Sequence, residues 1–340
     1  MKNKNVTFKD IAKYTGFSKN TVSRYFNAPE TLTEKNREII SNALHDLNYT
    51  ENKVARILAN GRTEFIGIIL PNLDMHFYSE LLTHLLNLYD EYRYKFLVFS
   101  GNDNPEIERK YISELLAYKI EGMIILSHTI SSKELAKYKI PIVSVEREDK
   151  FINSVNTDNY SGGSAAAELL AESGCDILVH INSQVSPITP AYNRITGFCS
   201  YCDEHGLEKK IFQVDWSNNF ETNKQKLEIL LSEIENKYSN RKKGIFVSND
   251  TNASCLLNII MRKYGRLPDD IRIVGFDNSS ASTEAIIPIS TIGQQLDLLA
   301  QSVMELLNTQ IDKLHSKNSN DMLEIQHRTI PTITIRRETT

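Results

Sequence analysis

VTFKDIAKYTGFSKNTVSRYFN, residues 6–27, reads as two short helices around a three-residue break. Thr7 stands at an N-cap with Asp10 three residues on, and Val6 and Ile11 occupy the positions of a hydrophobic staple. This helix runs to about Tyr14, and Thr15-Gly16-Phe17 ends it. Ser18 then caps a second helix, in which Phe17 and Val22 again hold staple positions. Two capped helices in succession predict a helix-turn-helix. On the second, Val22 and Phe26 lie four apart and turn inward, which leaves Lys19, Asn20, Ser23 and Arg24 near the opposite side. Arg24 has the fork that reads guanine and Asn20 the amide that reads adenine, while Lys19, Thr21 and Ser23 can reach bases or phosphates. A lone polar helix of this length is better explained as a solvated surface. A third helix, expected from about Thr33 to Leu47, changes that: Ile39, Ile40, Ala43, Leu44 and Leu47 recur at helical spacing and complete a three-helix core.

Charge agrees with this assignment. Residues 1–63 carry 11 Lys and Arg against 6 Asp and Glu, a net of +5, so the remainder holds −9 of the total of −4. A basic head on an acidic body confines attraction for phosphates to one end. The 340 residues suggest two or three domains, and 41% hydrophobic with 24% charged residues is a globular composition. No apolar run approaches membrane-spanning length and MKNKNVTFKD has no hydrophobic signal core, so a cytoplasmic protein with no membrane partner is expected. Cys199 and Cys202 form a C-x-x-C inside a helical pattern without further ligands at metal spacing, and read as a reduced pair; no metal and no cofactor are expected.

From Phe65 onward, β-rich runs (FIGIIL, FLVFS, MIIL, IVSV, ILVHI, GIFVS and RIVGF) alternate with helical stretches. The helices are expected at Tyr78–Tyr89, Glu106–Leu116, Gly162–Glu172, Asn193–Glu204, Thr222–Asn236 and Asn252–Tyr264. That alternation implies parallel, doubly wound sheets, and over 270 residues of it exceed one core, so two α/β subdomains with a break near Asn159 to Gly163 follow. Ligands of such folds sit beyond the C-terminal ends of strands. The polar residues that follow strands are therefore candidates: Asn72 and Asp74, Ser127 and His128, Asn249 and Asp250, Asp277 and Asn278, with Asp158 before a helix start. Carboxylates and amides converging on one cleft suit a polyhydroxy ligand. Phe77 and Tyr78 form a possible aromatic wall, and His76 beside them reads as a surface histidine.

VTFKDIAKYTGFSKNTVSRYFN, followed by LNYTENKVARILANGRTEFIGIILP, resembles the head and hinge of the lactose-repressor/galactose-repressor family of bacterial regulators. The resemblance spans the chain, since ISELLAYKIEGMIIL, FVSNDTNA, DDIRIVGFDN and PISTIGQ are similar to that family's effector domain in order and separation. It implies a hinge helix that folds on DNA with Leu58 as a minor-groove wedge. The segment supports that role, because a helix under three turns is marginal without partner and DNA, and an inserted leucine kinks a flexible step. A plain linker or a dimer-packing helix is the alternative. The candidate DNA-contacting set is Thr7, Ser18, Lys19, Asn20, Thr21, Ser23, Arg24, Asn27 and Tyr49 in the head, and Asn52, Ala55, Arg56 and Leu58 in the hinge. For the body the resemblance implies a periplasmic-binding-protein-like pair of subdomains, with Arg194, Asn249 and Asp277 as effector-binding positions. It also implies that Trp216, the only tryptophan, stacks on a sugar; a core tryptophan is the alternative, and flanking Asp215, Ser217, Asn218 and Asn219 favour a loop rim. The full effector set is Asn72, Phe77, Tyr78, Ser127, His128, Asp158, Arg194, Trp216, Asn249, Asp277 and Gln294.

The expected organisation is a helix-turn-helix domain over 1–50, a hinge over 51–63 and a core over 64–340. Its subdomains are expected over about 64–160 with 290–322, and over 161–289 with 323–340. No G-x-S-x-G, P-loop, H-E-x-x-H or G-x-G-x-x-G is present and nothing spaces a nucleophile with its base, so an enzyme is not expected and no residue is assigned a catalytic role. The favoured function is a homodimeric repressor of a carbohydrate operon that binds a palindromic operator under control of a small sugar or sugar phosphate. A catabolite-control-type regulator with a phosphorylated carrier protein as corepressor is the alternative.

Overall fold

The computed structural model describes residues 6–50, 62–187, 189–217, 219–316 and 324–340. The chain divides into two compact units, 1–62 and 63–340.

The first unit contains α1 (Phe8–Thr15), α2 (Lys19–Asn27) and α3 (Glu34–Asp46). The Asp10 carboxylate accepts from the Thr7 N–H at 2.9 Å and from its hydroxyl at 2.7 Å. The Ser18 hydroxyl accepts from the Thr21 N–H at 3.1 Å, so both expected caps form. Gly16 ends α1 with φ 74°, a left-handed conformation that favours glycine. Ile11, Val22 and Ala43 are buried at the centre, with Phe8, Phe17, Phe26, Leu44 and Leu47 packed around them. Ile39 departs from the expected core: it is 37% exposed, because Ile40 takes the inward position of that turn. Asn52, Ala55, Arg56 and Leu58 lie outside the described residues.

The second unit contains two six-stranded sheets. The first comprises β1 (Phe65–Leu70), β2 (Lys95–Ser100), β3 (Gly122–Ile125), β4 (Ile142–Val145), β5 (Asn153–Thr157) and β11 (His327–Ile330), in the order β11-β5-β4-β3-β1-β2 and parallel throughout. The second comprises β6 (Ile177–Ser183), β7 (Lys209–Val214), β8 (Lys243–Val247), β9 (Ile271–Asp277), β10 (Ser290–Gln294) and β12 (Thr332–Ile335), in the order β12-β10-β9-β8-β6-β7, and only its edge strand β12 is antiparallel. The long helices are α4 (His76–Asn87), α5 (Pro105–Ala117), α6 (Asn159–Glu172), α7 (Asn193–Glu204), α8 (Phe220–Lys237), α9 (Asp250–Tyr264) and α10 (Leu296–His315). Along β1, Ile66, Ile68 and Leu70 face the cluster containing α4 and α10, while Ile69 faces the cluster containing α5. This is the period-two alternation of a strand covered on both faces.

The chain crosses between the sheets three times: from β5 to α6, from β10 to α10, and from β11 to β12 through Pro331 alone. The crossings are bonded to one another. The Asp158 N–H donates to Ile330 O at 2.8 Å, Gln295 Nε2 donates to Pro331 O at 2.9 Å, and the Thr157 hydroxyl donates to Gln294 Oε1. This corrects the expected subdomain limits. Residues 290–294 belong to the second sheet, since β10 pairs with β9, and residues 327–330 belong to the first, since β11 pairs with β5. Ser290–Gln294 forms a fully buried strand, and the chain crosses after it.

Candidate functional site

In the head, α2 presents Lys19, Asn20, Arg24 and Asn27 to solvent, while Val22 is buried behind them. Thr7 and Ser18 are exposed at the starts of their helices, with hydroxyls engaged in capping. Ser18 Oγ lies 2.9 Å from Thr21 Oγ1, and Asn27 Nδ2 donates to Ser23 Oγ at 3.1 Å, which fixes these shorter side chains along the helix and leaves Lys19, Asn20 and Arg24 to project. The Tyr49 ring lies 5.8 Å from Phe26 and 6.1 Å from Phe8, inside the aromatic stack that supports α2.

In the body, loops at the C-terminal ends of strands from both sheets enclose a cleft of about 390 Å³. Arg194, in the first turn of α7, reaches its wall in an almost fully occupied state: Nε donates to Asn159 Oδ1 at 2.7 Å, Nη1 donates to Ser248 O at 2.6 Å, and the guanidinium lies 3.7 Å from the Phe276 ring centroid. Asn159 in turn donates to Glu146 Oε2 at 2.7 Å, and Glu146 Oε1 accepts from the Thr157 N–H at 2.6 Å. Asp277 ends β9, and its Oδ1 accepts from Gln294 Nε2 at 2.7 Å. Its backbone is strained, with φ 115°, and Asn278 follows at φ 60°. Arg337 Nη2 pins that turn by donating to Asn278 Oδ1 at 2.6 Å. Asn249 caps α9 through a bond from the Asn252 N–H at 2.8 Å.

Burial raises the Asp277 carboxyl well above the usual carboxylate range, and Asp250 and Glu146 add to the rise while Arg194 and the bond from Gln294 oppose it. Asp250, at the start of α9 and fully buried, is pushed up to about 7 by desolvation, although Thr291 Oγ1 donates to it at 2.7 Å and the Ser279 N–H at 2.8 Å. His128 opens onto the cleft, yet its desolvated surroundings and the neighbouring Arg147 hold its ring down to about 4, so it is neutral.

Of the effector candidates, Phe77, Tyr78, His128, Arg194, Asn249, Asp277 and Gln294 line this cleft. Four are placed elsewhere. Asn72 Oδ1 accepts from the Asp74 N–H at 3.2 Å and caps its own loop. Ser127 is buried and donates to Glu108 Oε2 at 2.7 Å. Asp158 caps α6, accepting from the Ser161 N–H at 3.0 Å and from its hydroxyl at 2.7 Å. Trp216 packs against the cluster under α8 and α9 rather than on the cleft wall, so the core alternative describes its position. His76 is half-buried rather than a surface residue, with Nδ1 3.0 Å from Thr251 Oγ1 of the other subdomain. Sequence reasoning missed Glu146, Asn182 and Ser248, all of which line the cleft. Each stands at or just after a strand end, the same signal that found their neighbours. Among the described residues, no group of three or more His, Cys, Asp or Glu could hold a metal ion, and no helix is long and apolar enough to cross a membrane.

Residues 7–52 match the family described as bacterial regulatory proteins, lacI family, and residues 167–340 match the periplasmic binding protein-like domain. The HTH-type transcriptional regulator DegA of Bacillus subtilis is 31% identical over 301 residues, 85% of this chain and 87% of that one. The ribose operon repressor of Halalkalibacterium halodurans is 29% identical over 335 residues, 98% of this chain and 97% of that one. Among solved structures, the Lac repressor dimer bound to operator and the anti-inducer ONPF superposes with a TM-score of 0.77 at 24% identity, covering 99% of each chain, which shows the shared fold. A capped helix-turn-helix, a body of two parallel-sheet subdomains laced by three crossings, and relatives matched over nearly the full length lead to one conclusion: this chain is a DNA-binding transcriptional regulator of the lacI family.

Proposed function

We propose that the protein represses a carbohydrate-utilisation operon as a homodimer, and that a small sugar or sugar phosphate in the cleft sets its grip on a palindromic operator. One observation carries this reading. Arg194 and Asp277, a donor and an acceptor of the second subdomain, stand on the wall of one cleft that Phe77, Tyr78, His128 and Glu146 of the first subdomain also line, with Gln294 at a crossing, so a ligand held there touches both subdomains at once. Vicinal hydroxyls need such paired donors and acceptors, whereas an apolar ligand would leave these groups desolvated and unpaired. Closure over the ligand rotates one subdomain against the other and changes how two heads reach two half-sites, through a coupling of about 1–3 kcal/mol. The Lac repressor relative, solved with operator and an anti-inducer, supports the pairing of these two ligands, and the ribose operon repressor supports a sugar operon as target.

The test is operator release measured with a panel of mono- and disaccharides and their phosphates. At least one compound is expected to bind and to shift operator affinity. If none does and a phosphorylated carrier protein binds instead, the corepressor reading replaces this one.

A further inference from the structure

A second cavity, of about 340 Å³, backs onto the cleft. Along two segments, residues one or two positions apart face into different spaces. Ser186 lines the cleft and Pro187 the pocket, Pro190 the pocket and Ala191 the cleft, Asn193 the pocket and Arg194 the cleft. After β4, Glu146 lines the cleft and Glu148 the pocket, and Thr189 alone touches both. These segments are one wall with a cavity on each face. The pocket also reaches the crossings, where Asn156 of β5 and Thr329 of β11 line it beside Asp158 and Tyr160 at the start of α6.

The chemistry of the pocket is one-sided. Two carboxyls, Glu148 and Asp158, line it together with amides and hydroxyls, and no lysine, arginine or histidine does. Asn156 is 3% exposed, and its Nδ2 donates to Glu148 Oε2 at 2.9 Å and to Ser154 Oγ at 3.3 Å. Oδ1, the end of that amide left over, has no hydrogen-bond partner. A buried acceptor without a donor is costly and marks a place where a donor is missing. The two helices that begin beside the pocket do not reverse this preference. Asp158 closes the start of α6 by accepting from the Ser161 N–H and hydroxyl. The 3₁₀ turn Pro190–Tyr192 runs directly into α7, and the Asn193 N–H is turned back onto Ala191 O and Pro190 O. An anion would meet two carboxyls and no cation, and a zwitterion would find nothing for its negative end. A cationic donor meets acceptors, while Pro187, Pro190 and the Tyr160 ring offer its carbon skeleton apolar and aromatic surface.

We propose that this pocket binds a small organic ammonium compound, held by the Glu148 carboxylate and the Asn156 amide oxygen, and that its occupancy alters operator affinity through the wall shared with the cleft. A ligand on one face of that wall biases the position of the residues on the other, Arg194 and Glu146 among them, and so acts on the same arrangement of subdomains. The proposal does not depend on what the cleft itself binds.

The full-length protein is titrated by calorimetry near neutral pH with two probes, putrescine as a linear diamine and glucosamine as an amino sugar, and with 1,4-butanediol as a neutral control. At least one amine is expected to bind and the diol is not. Glu148→Gln should weaken that binding about tenfold or more, since the charge is lost while the new amide can still accept from Asn156. Asp277→Asn should leave it in place, and loss of binding there would put the amine in the cleft and overturn the proposal. Saturating amine is expected to change operator affinity about fivefold or more in the wild type and not in Glu148→Gln, which separates the effect from screening of the DNA by the amine. Binding by neither amine, binding by the diol as tight as by the amine, wild-type amine affinity in Glu148→Gln, or an operator affinity unmoved by the bound amine each overturns the proposal.

Discussion

Arg194 is held by two hydrogen bonds and a flat ring contact, and a lysine cannot reproduce all three from one position. Arg194→Lys is therefore expected to lose effector affinity almost as far as Arg194→Ala, by about 1.5–3 kcal/mol for a charged hydrogen bond, with operator binding retained. Calorimetric titration checks this, and a lysine variant with wild-type affinity would show that charge alone matters. Asp250 makes a separate prediction. Its folded-state pKa of about 7 exceeds the ordinary 3.8, so the folded protein keeps a proton that the unfolded chain releases. The contribution of this group to stability is fullest below the ordinary carboxylate range, falls as pH rises from about 4, and is lost above about 7. Asp250→Asn should remove that slope. Denaturant unfolding is expected to show the variant gaining on the wild type by about 2–4 kcal/mol between the two ends of the window, and parallel pH profiles would refute it. In the head, Arg24 projects from α2. Arg24→Ala should flatten base preference at one symmetric position of each half-site and cost about 1–3 kcal/mol on the preferred sequence. Site selection that recovers an unchanged palindrome would remove Arg24 from base reading.

Two helices hold Arg194 in place, and they meet backbone to backbone. A Cβ on Gly163 of α6 would stand 2.1 Å from Arg194 O, and one on Gly197 of α7 would stand 1.9 Å from Tyr160 O. Gly163→Ala or Gly197→Ala must force the helices apart, with a stability loss of about 1–3 kcal/mol and a weaker effector response, although neither glycine lines the cleft. Thermal unfolding together with effector titration checks both effects; an alanine variant with unchanged affinity would mean that the loop, not the helix pair, positions the arginine. Elements of this kind also show what the sequence reveals and what it hides. The first two head helices announced themselves through caps and staples, which are local chemistry. The seven apolar strands of the body were legible as apolar runs, six of them because strands covered on both faces are continuously apolar, whereas the edge strand β2 is only half-buried. β5, Asn153–Thr157, was not legible: NSVNT carries one apolar residue, yet it is buried along its whole length. Its polar side chains bond partners outside the strand, among them Asn153 to Ile142 O at 3.2 Å, Ser154 to His327 at 2.8 Å and Thr157 to Gln294, while the buried Asn156 Oδ1 has no hydrogen-bond partner. Burial of such a strand depends on the assembled neighbours, and no period within the run encodes it. Trp216 shows the same limit in reverse, since polar flanks said nothing of the apolar cluster beneath the indole.

Two contacts outside the crossings also tie the subdomains directly. His76 meets Thr251, and Glu80 Oε1 accepts from the Ser280 N–H and hydroxyl, both at 2.8 Å. They hold α4 against the second subdomain and act alongside any ligand that bridges the cleft. Glu80→Ala is expected to weaken effector binding by about 1–3 kcal/mol without touching the cleft wall, because only the His76–Thr251 contact then helps the ligand hold α4 against the second subdomain. Calorimetry on the variant checks this, and unchanged affinity would show that the contacts are absent from the ligand-bound arrangement. The crossings set a further condition, on the order of events at the ribosome. His327–Ile335 supplies an edge strand to each sheet through one intervening proline, and the nearby Thr339 hydroxyl donates to Ile273 O at 2.6 Å and accepts from the Ser290 N–H at 2.9 Å. Neither half of the body can complete its sheet until this segment has emerged, whereas the head is a separate unit at the start of the chain. Nascent chains stalled with residue 325 at the tunnel exit should therefore carry a protease-resistant head on a protease-sensitive body, so each molecule acquires its DNA-reading surface before it acquires the means of regulating it.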